Sequence, residues 1–324
     1  MFDNAIIKRI VFVMEQITNH IMMIRPVGFR YNEQTAVNNY YQKFLANLTP
    51  AEVQQNALEE FNNFVVKLRD YGVNVVVIED TKDFDTPDSI FPNNWVSFHS
   101  DGTVGLFPMC AENRRDERRE DILDSLVNDY GFEIKAIKDF TDFEEHGKYL
   151  EGTGSMVLDR ANKICYAGIS IRTDEVAVMQ FCEEYGYRPV FFTANQDIDG
   201  ERIAIYHTNV MMCVADKFVV ICLDSIDNEI EKENVIDNIV ESGKEIIEIS
   251  EEQKNRFAGN MLQLIGDNPY LVMSKSAYSS LNDSQIRSIK KHCSIIYSSL
   301  DTIEACGGGS ARCMMAEIFL PKKQ

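Results

Sequence analysis

The sequence has no excess of basic residues, and this absence excludes two large classes of partner. Lys and Arg number 32 against 51 Asp and Glu, so the formal net charge is −19 at pH 7. Nucleic acids and anionic membrane surfaces both require basic patches on the protein that binds them. We therefore expect neither kind of partner, and we interpret the acidity as a well-solvated surface.

Long apolar runs and paired cysteines are also missing. No apolar segment approaches the roughly 20 residues of a membrane-spanning helix, and the apolar N-terminal patch is short and lacks a small-residue cleavage site. The eight cysteines include no CxxC pair and mostly lie in apolar runs. Reduced thiols fit this pattern better than a zinc or disulfide framework. We expect a cytoplasmic protein without a metal site.

What the sequence does contain is a repeat of helix ends. In four segments a glycine comes directly before an apolar strand pattern: Gly72 in "YGVNVVVIED", Gly131 in "YGFEIKAIKDF", Gly186 in "YGYRPVFFTA" and Gly243 in "SGKEIIEIS". The steps are 59, 55 and 57 residues, and a glycine-free version starts at His292. A fixed period of this size indicates stacked or circularly arranged supersecondary units.

Two of the helices before these glycines can be delimited. The first starts with a capping box at Thr49, with proline at the first helical position, and ends before Gly72. The other starts near Thr173–Asp174 and ends at Gly186. Apolar residues at helical spacing predict the sides that face the core. They are Ala57, Phe61, Phe64, Val65 and Leu68 in the first helix, and Val176, Val178, Met179 and Phe181 in the other.

Two short apolar runs separated by a polar turn precede each helix, so the repeating unit is strand–strand–helix–strand. Four units begin at Asn94, Ser155, Asn209 and Asn260. The fifth is split between the C-terminal "CMMAEIFL" and the N-terminal "HIMMIRP", and their pairing would close a ring and remove sheet edges. The alternative is a set of unrelated α/β units that share a period.

This pattern resembles the pentein fold, a pseudo-symmetric five-bladed α/β propeller of guanidine-modifying enzymes. That superfamily includes arginine deiminase, dimethylarginine dimethylaminohydrolase, amidinotransferases and succinylarginine dihydrolase. Because the resemblance covers nearly the whole chain, it implies one catalytic domain over residues 1–324, with residues 1–16 a candidate N-terminal extension.

In such a ring, the residues that open each first strand converge at one central mouth. Cys313 follows the glycine-rich "GGGSAR", where the penteins carry their nucleophilic cysteine, whereas a cysteine considered alone is more often inert core. His207 in "IYHTN" and Glu151 in "LEGTGS" match the family's His–x–Asp and Glu–Gly–Gly motifs. The resemblance implies that His207 acts as general acid and then base. Glu151 would protonate the substrate nitrogen or orient the histidine. The alternatives are that His207 is a histidine of the core and that Glu151 is a surface carboxylate.

Two positions depart from the arginine deiminases. Asn94 in "FPNNW" and Asn209 in "YHTN" replace aspartates that bind a guanidinium through charge-assisted bonds. An amide offers one acceptor oxygen and two donor N–H groups, which suits a neutral ureido group and hence citrulline. Succinylarginine dihydrolases also have an asparagine near the guanidine group, so the guanidino substrates stay open.

The other end of the substrate has its own candidates. Arg172 in "GISIRTDE" matches a family arginine that binds the amino-acid carboxylate, and it precedes a predicted helix N-terminus. Arg115 would be a second carboxylate contact, unless Arg114–Arg119 is only a solvated charge run. The segment Phe29–Asn39 resembles that of the citrulline-utilisation hydrolases and would form a flap, with Asn32 near the substrate; a plain surface loop is the alternative.

The sequence therefore predicts a cysteine hydrolase that converts citrulline to ornithine, carbon dioxide and ammonia without a metal or organic cofactor. Its expected partner is a small amino-acid substrate, and homo-oligomer formation is left open. The alternatives are an arginine, dimethylarginine or acylarginine hydrolase, an amidinotransferase, and a non-catalytic binding module.

Overall fold

The computed structural model describes residues 16–323, so the apolar N-terminal patch lies outside the described residues. The strands are β1 (His20–Arg25), β2 (Asn74–Glu79), β3 (Val96–Phe98), β4 (Thr103–Leu106), β5 (Ala136–Asp139), β6 (Met156–Asp159), β7 (Ile164–Gly168), β8 (Arg188–Phe192), β9 (Asn195–Ile198), β10 (Glu201–Ala204), β11 (Met212–Val214), β12 (Phe218–Ile221), β13 (Glu245–Glu248), β14 (Leu262–Ile265), β15 (Pro269–Ser274), β16 (Ser294–Ser298) and β17 (Ala316–Glu317). The α-helices are α1 (Glu33–Ala36), α2 (Pro50–Asp70), α3 (Glu120–Asn128), α4 (Gly152–Ser155), α5 (Glu175–Tyr185), α6 (Glu229–Glu241), α7 (Glu251–Lys254), α8 (Lys275–Ser280), α9 (Asp283–Lys290) and α10 (Asp301–Gly307). Short 3-10 turns lie at Pro92–Asn94, Glu112–Glu117, Thr141–His146, Thr208–Val210 and Leu223–Ser225.

Across residues 16–323 the fold is mixed α/β, with five three-stranded sheets and one separate hairpin, β9–β10. The sheet orders are β17-β1-β2, β3-β4-β5, β6-β7-β8, β11-β12-β13 and β14-β15-β16. In each sheet the first two strands are antiparallel and the last two are parallel. At least one helix connects each parallel pair, as a parallel pairing requires. The predicted strand–strand–helix–strand unit is confirmed.

The split unit is also confirmed. β17 pairs with β1 in antiparallel register, with Ile21 opposite Glu317 and Met22 opposite Ala316. The C-terminal strand is shorter than predicted, because Cys313 lies in a turn whose backbone N–H donates to the Ser310 carbonyl at 3.0 Å. The predicted nucleophile therefore precedes this strand.

The helix ends follow the predicted signals. Thr49 caps α2 within a complete capping box, and the five predicted core residues of this helix are buried. Gly72, Gly131, Gly186 and Gly243 all have a positive φ, which an L-residue adopts only at a cost. The core side predicted for α5 was partly wrong. Val176 and Met179 are about half exposed, because the buried side of this helix is formed by Ala177, Val178, Phe181, Cys182 and Tyr185.

The core positions the C-terminal turn. Phe61 and Phe64 of α2 pack in one buried cluster with apolar residues of β1 and β2, and Cys313 and Met314 belong to the same cluster. All eight cysteines are free thiols. Among the helices of residues 16–323, none combines the length and the apolar character that crossing a bilayer demands.

Candidate active site

The glycine-rich turn brings Cys313 against the body of the protein. Helix α10 ends at Gly307, and Gly308 adopts the left-handed conformation with φ 62°. A Cβ atom on Gly307 would come within 2.7 Å of the Phe91 ring, so the close approach of this backbone requires glycine. Cys313 is only 3% exposed.

Two asparagine amides surround the Cys313 sulfur. Asn260 Nδ2 lies 3.2 Å from Sγ, and Asn209 Nδ2 lies 3.6 Å from it. The orientation of Asn260 is fixed, because its Oδ1 accepts the Arg312 backbone N–H at 3.0 Å and its Nδ2 also donates to the Asn209 carbonyl at 3.0 Å. Both amides thus present N–H groups to the Cys313 sulfur.

Asn260 was not predicted as a site residue. The sequence did contain a signal for it, because Asn260 opens a repeat unit in the same phase as Asn94 and Asn209. Three of the four units that begin in this phase therefore start with an asparagine whose side chain lies at the site.

Glu151 and His207 form a buried pair. His207 Nε2 lies 2.7 Å from Glu151 Oε2, and the Cys110 backbone N–H donates to Glu151 Oε1 at 2.9 Å. Burial alone would raise the pKa of Glu151, but Arg172 and His207 hold it well below its usual range. Glu151 is therefore ionised at neutral pH. This geometry favours the role of orienting His207 over that of proton donor.

His207 is the neutral partner of this pair. Burial lowers the pKa of His207 to about 4, against the raising effect of Glu151. Because an ionised carboxylate only accepts, the shared proton lies on Nε2 and leaves Nδ1 unprotonated. Nδ1 lies against Gly154, where an added Cβ would come within 2.8 Å of it. An unprotonated imidazole nitrogen can accept a proton from water.

Asn94 lies against the same glycine. A Cβ on Gly154 would clash with Asn94 Nδ2 as well as with His207. The Oδ1 atom of Asn94 accepts from Arg114 Nη1 at 2.9 Å. Nδ2 is buried and has no hydrogen-bond partner within residues 16–323. The free group of Asn94 is thus an N–H donor.

The arginine segment is more deeply buried than a solvated charge run. Arg114 and Glu117 are both buried and form a bidentate pair, with Nε–Oε1 at 2.8 Å and Nη2–Oε2 at 2.9 Å. Sequence reasoning missed Arg114, which reaches Asn94. Arg115, predicted as a carboxylate contact, instead donates to the Met109 carbonyl at 3.2 Å and lies 3.3 Å from Glu144. Its role toward substrate stays a prediction.

Arg172 connects the site to the segment predicted as a flap. Its guanidinium donates to the Thr35 carbonyl at 2.9 Å, to Asn38 Oδ1, and to Glu151 Oε2 at 3.5 Å. Because these are protein acceptors, a substrate carboxylate would have to replace some of them. The predicted carboxylate contact stays a prediction.

Asn32, also in the segment Phe29–Asn39, is buried. Its Nδ2 donates to Asp88 Oδ2 at 2.8 Å, and Thr35 Oγ1 donates to the same oxygen at 2.9 Å. Burial raises the pKa of Asp88, whose Oδ1 has no partner among the described residues. Asp88 is a buried acidic group that sequence reasoning missed.

The geometry thus brings six of the predicted residues into one region, namely Cys313, His207, Glu151, Asn94, Asn209 and Arg172. Asn209, two residues after His207, contacts Cys313; Gly154 contacts both His207 and Asn94; and Arg172 contacts Glu151. Over residues 16–323, no group of three or more His, Cys, Asp or Glu side chains is arranged to hold a metal ion.

A family model described as N,N dimethylarginine dimethylhydrolase, eukaryotic, matches residues 25–320. The chain belongs to this family. The predicted membership of the pentein superfamily is thereby confirmed, and the protein is a hydrolase that acts on non-peptide C–N bonds with a cysteine nucleophile. A search of curated protein sequences gave no match.

Solved structures of this superfamily have the same fold. A substrate-bound variant of the N-terminal domain of ArgZ, an arginine dihydrolase from the ornithine-ammonia cycle in Cyanobacteria, is 16% identical with a TM-score of 0.69, covering 92% of this chain and 97% of that one. An AgrE variant in complex with L-arginine is 16% identical with a TM-score of 0.69, covering 94% and 41%. An adduct of a dimethylarginine dimethylaminohydrolase variant with S-methyl-L-thiocitrulline is 15% identical with a TM-score of 0.62, covering 93% and 100%. This chain spans about two fifths of full-length ArgZ.

Proposed function

We propose that this hydrolase cleaves the ureido group of citrulline, giving ornithine, carbon dioxide and ammonia. The observation that carries the proposal is a set of three amides, two of which stand where the arginine deiminases have aspartates that bind a guanidinium. Asn209 and Asn260 direct N–H groups at Cys313 Sγ, and the free group of Asn94 is also an N–H donor. A ureido oxygen accepts such bonds, whereas every nitrogen of a guanidinium only donates.

In the proposed reaction, the Cys313 thiolate adds to the ureido carbon. His207 Nδ1, which has accepted the proton of the Cys313 thiol, gives it to the ornithine nitrogen as the bond from the ureido carbon to that nitrogen breaks, and a carbamoyl thioester forms on Cys313. His207 Nδ1 then accepts a proton from water, which attacks the thioester and releases the thiol and carbamate. Carbamate decomposes to carbon dioxide and ammonia. Glu151 orients His207 throughout and stabilises its protonated form.

The amino-acid end of the substrate carries a carboxylate and an ammonium group, so it needs one positively charged and one negatively charged partner. Arg172 would exchange its bonds to Thr35 and Asn38 for the substrate carboxylate, with Arg115 as a second contact. The free oxygen of Asp88 suits the α-ammonium group, because a buried carboxylate favours a cationic partner. Asn32, which binds Asp88, would be near this end.

We also propose that the five sheets close into the five-bladed pentein ring. The shared connectivity of the sheets and the pairing of β17 with β1 support this closure. The ring explains why residues from four distant segments share one region.

A second candidate substrate is arginine. The solved structures named above include an arginine dihydrolase and a complex with L-arginine, which supports a guanidino substrate. Dimethylarginine follows from the family description.

Parallel assays separate these candidates. Purified protein is incubated with citrulline, arginine or dimethylarginine, and ornithine and citrulline are quantified. We expect ornithine from citrulline, and none from Cys313→Ala. Turnover of arginine with none of citrulline would contradict the ureido proposal, and a product that requires an added amine would indicate an amidinotransferase.

A further inference from the structure

Arg114 is a rigidly held guanidinium beside the site. It is 2% exposed, and its pKa is raised by Glu117 against the effect of burial. Besides the bidentate pair with Glu117, Nη2 donates to the Phe91 carbonyl at 3.2 Å and to the Asp88 carbonyl at 3.4 Å. These four bonds fix the plane of the guanidinium and leave Nη1 directed at Asn94 Oδ1, at 2.9 Å.

This contact decides which way the Asn94 amide points. A guanidinium has no acceptor, so only the oxygen of Asn94 can face it. The Nδ2 group is then turned to the opposite side, against Gly154 and beside His207. If Arg114 were absent, the amide could rotate by half a turn and present its oxygen at the same place.

We propose that Arg114 is a positioning residue that selects the substrate by fixing the Asn94 amide. With N–H presented, the site matches an acceptor such as the ureido oxygen; with the oxygen presented, it would match the N–H groups of a guanidinium. The selectivity thus depends on the orientation of Asn94 as well as on its identity. This inference rests on the proposed ureido chemistry.

The test compares the ratio of kcat/KM for citrulline to kcat/KM for arginine among variants. Arg114→Gln combined with Glu117→Gln removes the donor-only group without leaving a buried charge unpaired. Because a glutamine can face either end of an amide, we expect the ratio to fall at least tenfold. Arg114→Met with Glu117→Leu, which replaces the buried pair by apolar groups, is the second variant and is expected to lower the ratio equally.

Two controls separate positioning from folding. Arg114→Lys keeps a donor-only group, so the ratio should stay within about threefold of the parent even where both activities fall. Arg118→Met removes another arginine of the same segment, one that binds Glu144 and not Asn94, and should leave the ratio unchanged. Thermal unfolding confirms that each variant is folded.

The outcomes distinguish the two proposals. If the parent turns over citrulline but a folded double variant keeps the parent ratio, the positioning role of Arg114 is wrong and the ureido proposal stands. A loss of the ratio in Arg114→Lys equal to that in the double variants would also overturn the positioning role. If the parent does not act on citrulline at all, the ureido proposal fails first, and this inference fails with it.

Discussion

Gly154 is a position in the site where no side chain fits. Gly154 lies between Asn94 Nδ2 and the His207 ring, and any side chain there would displace one of them. Its φ is not positive, so glycine is required for space and not for backbone conformation. The role of this glycine could not be read from "EGTGS", because the close neighbours come from other repeat units.

Gly154→Ala is therefore expected to lower kcat/KM by at least 100-fold, since misplacing a catalytic group by about 1 Å has a cost of that order. Steady-state kinetics on citrulline measure the effect. Gly28→Ala is the control, because a Cβ at Gly28 meets no atom within 4 Å. Near-parental activity of Gly154→Ala would show that Asn94 and His207 need not lie this close.

The pKa of His207 gives a second test. Because burial lowers it to about 4, the imidazole should be neutral throughout the physiological range. NMR titration of the histidine rings in Cys313→Ala, with His207 assigned by its loss in His207→Gln, should give a midpoint well below 6.5. In Glu151→Gln the midpoint should fall further, because the carboxylate raises it. A midpoint at or above 6.5 would contradict the neutral state assigned to His207, and an upward shift in Glu151→Gln would contradict the raising effect of an ionised Glu151.

The lowered pKa of His207 also makes the free energy of unfolding depend on pH. Between about pH 6.5 and 4, the unfolded chain binds a proton at His207 and the folded protein does not. The contribution of His207 to the free energy of unfolding is therefore present above pH 6.5 and is lost as the pH falls toward 4.

At the scale of elements, sequence signals predicted the ends of the helices well and the buried sides of the helices less well. The capping box of α2 and the glycines after the helices act through local backbone chemistry, which a sequence contains in full. The buried side of α5 depends on where its sheet lies, so Val176 and Met179 were misplaced. Arg114 was missed for the same reason: its partners, Asn94 and the Phe91 carbonyl, are 20 or more residues away.

The helix-ending glycines provide a matched pair. Gly72 and Gly131 share a positive φ, with 82° and 72°, but a Cβ at Gly72 would meet the Asp267 backbone at 2.7 Å, whereas one at Gly131 meets nothing within 4 Å. Gly131→Ala should lower the free energy of unfolding by about 1–2 kcal/mol, the cost of the left-handed conformation. Gly72→Ala should lower the free energy of unfolding by clearly more than Gly131→Ala does. Chemical denaturation measures both free energies of unfolding. Equal losses of stability in the two variants would show that the turn at Asp267 moves to accommodate the added Cβ without a measurable cost.

For the whole molecule, the repeat period was the most informative feature of the sequence. It predicted five units, the hairpin before each helix, and the pairing of the two chain ends in β17 and β1. Phase within the repeat also pointed to Glu151, His207, Asn209 and Asn94. It could not show which atom of each amide faces the site, because that depends on hydrogen bonds from distant residues such as Arg114 and Arg312.

The central claim is that the assembled site forms a covalent bond between Cys313 and the ureido carbon of the substrate. The most direct measurement is acid quenching during turnover of citrulline labelled with ¹³C in the ureido group, followed by mass spectrometry of the peptides. We predict a labelled carbamoyl group on the peptide that contains Cys313, none on Cys306, and none in Cys313→Ala. Ornithine formation with the label on another residue, or with none found under conditions that preserve a thioester, would contradict the account.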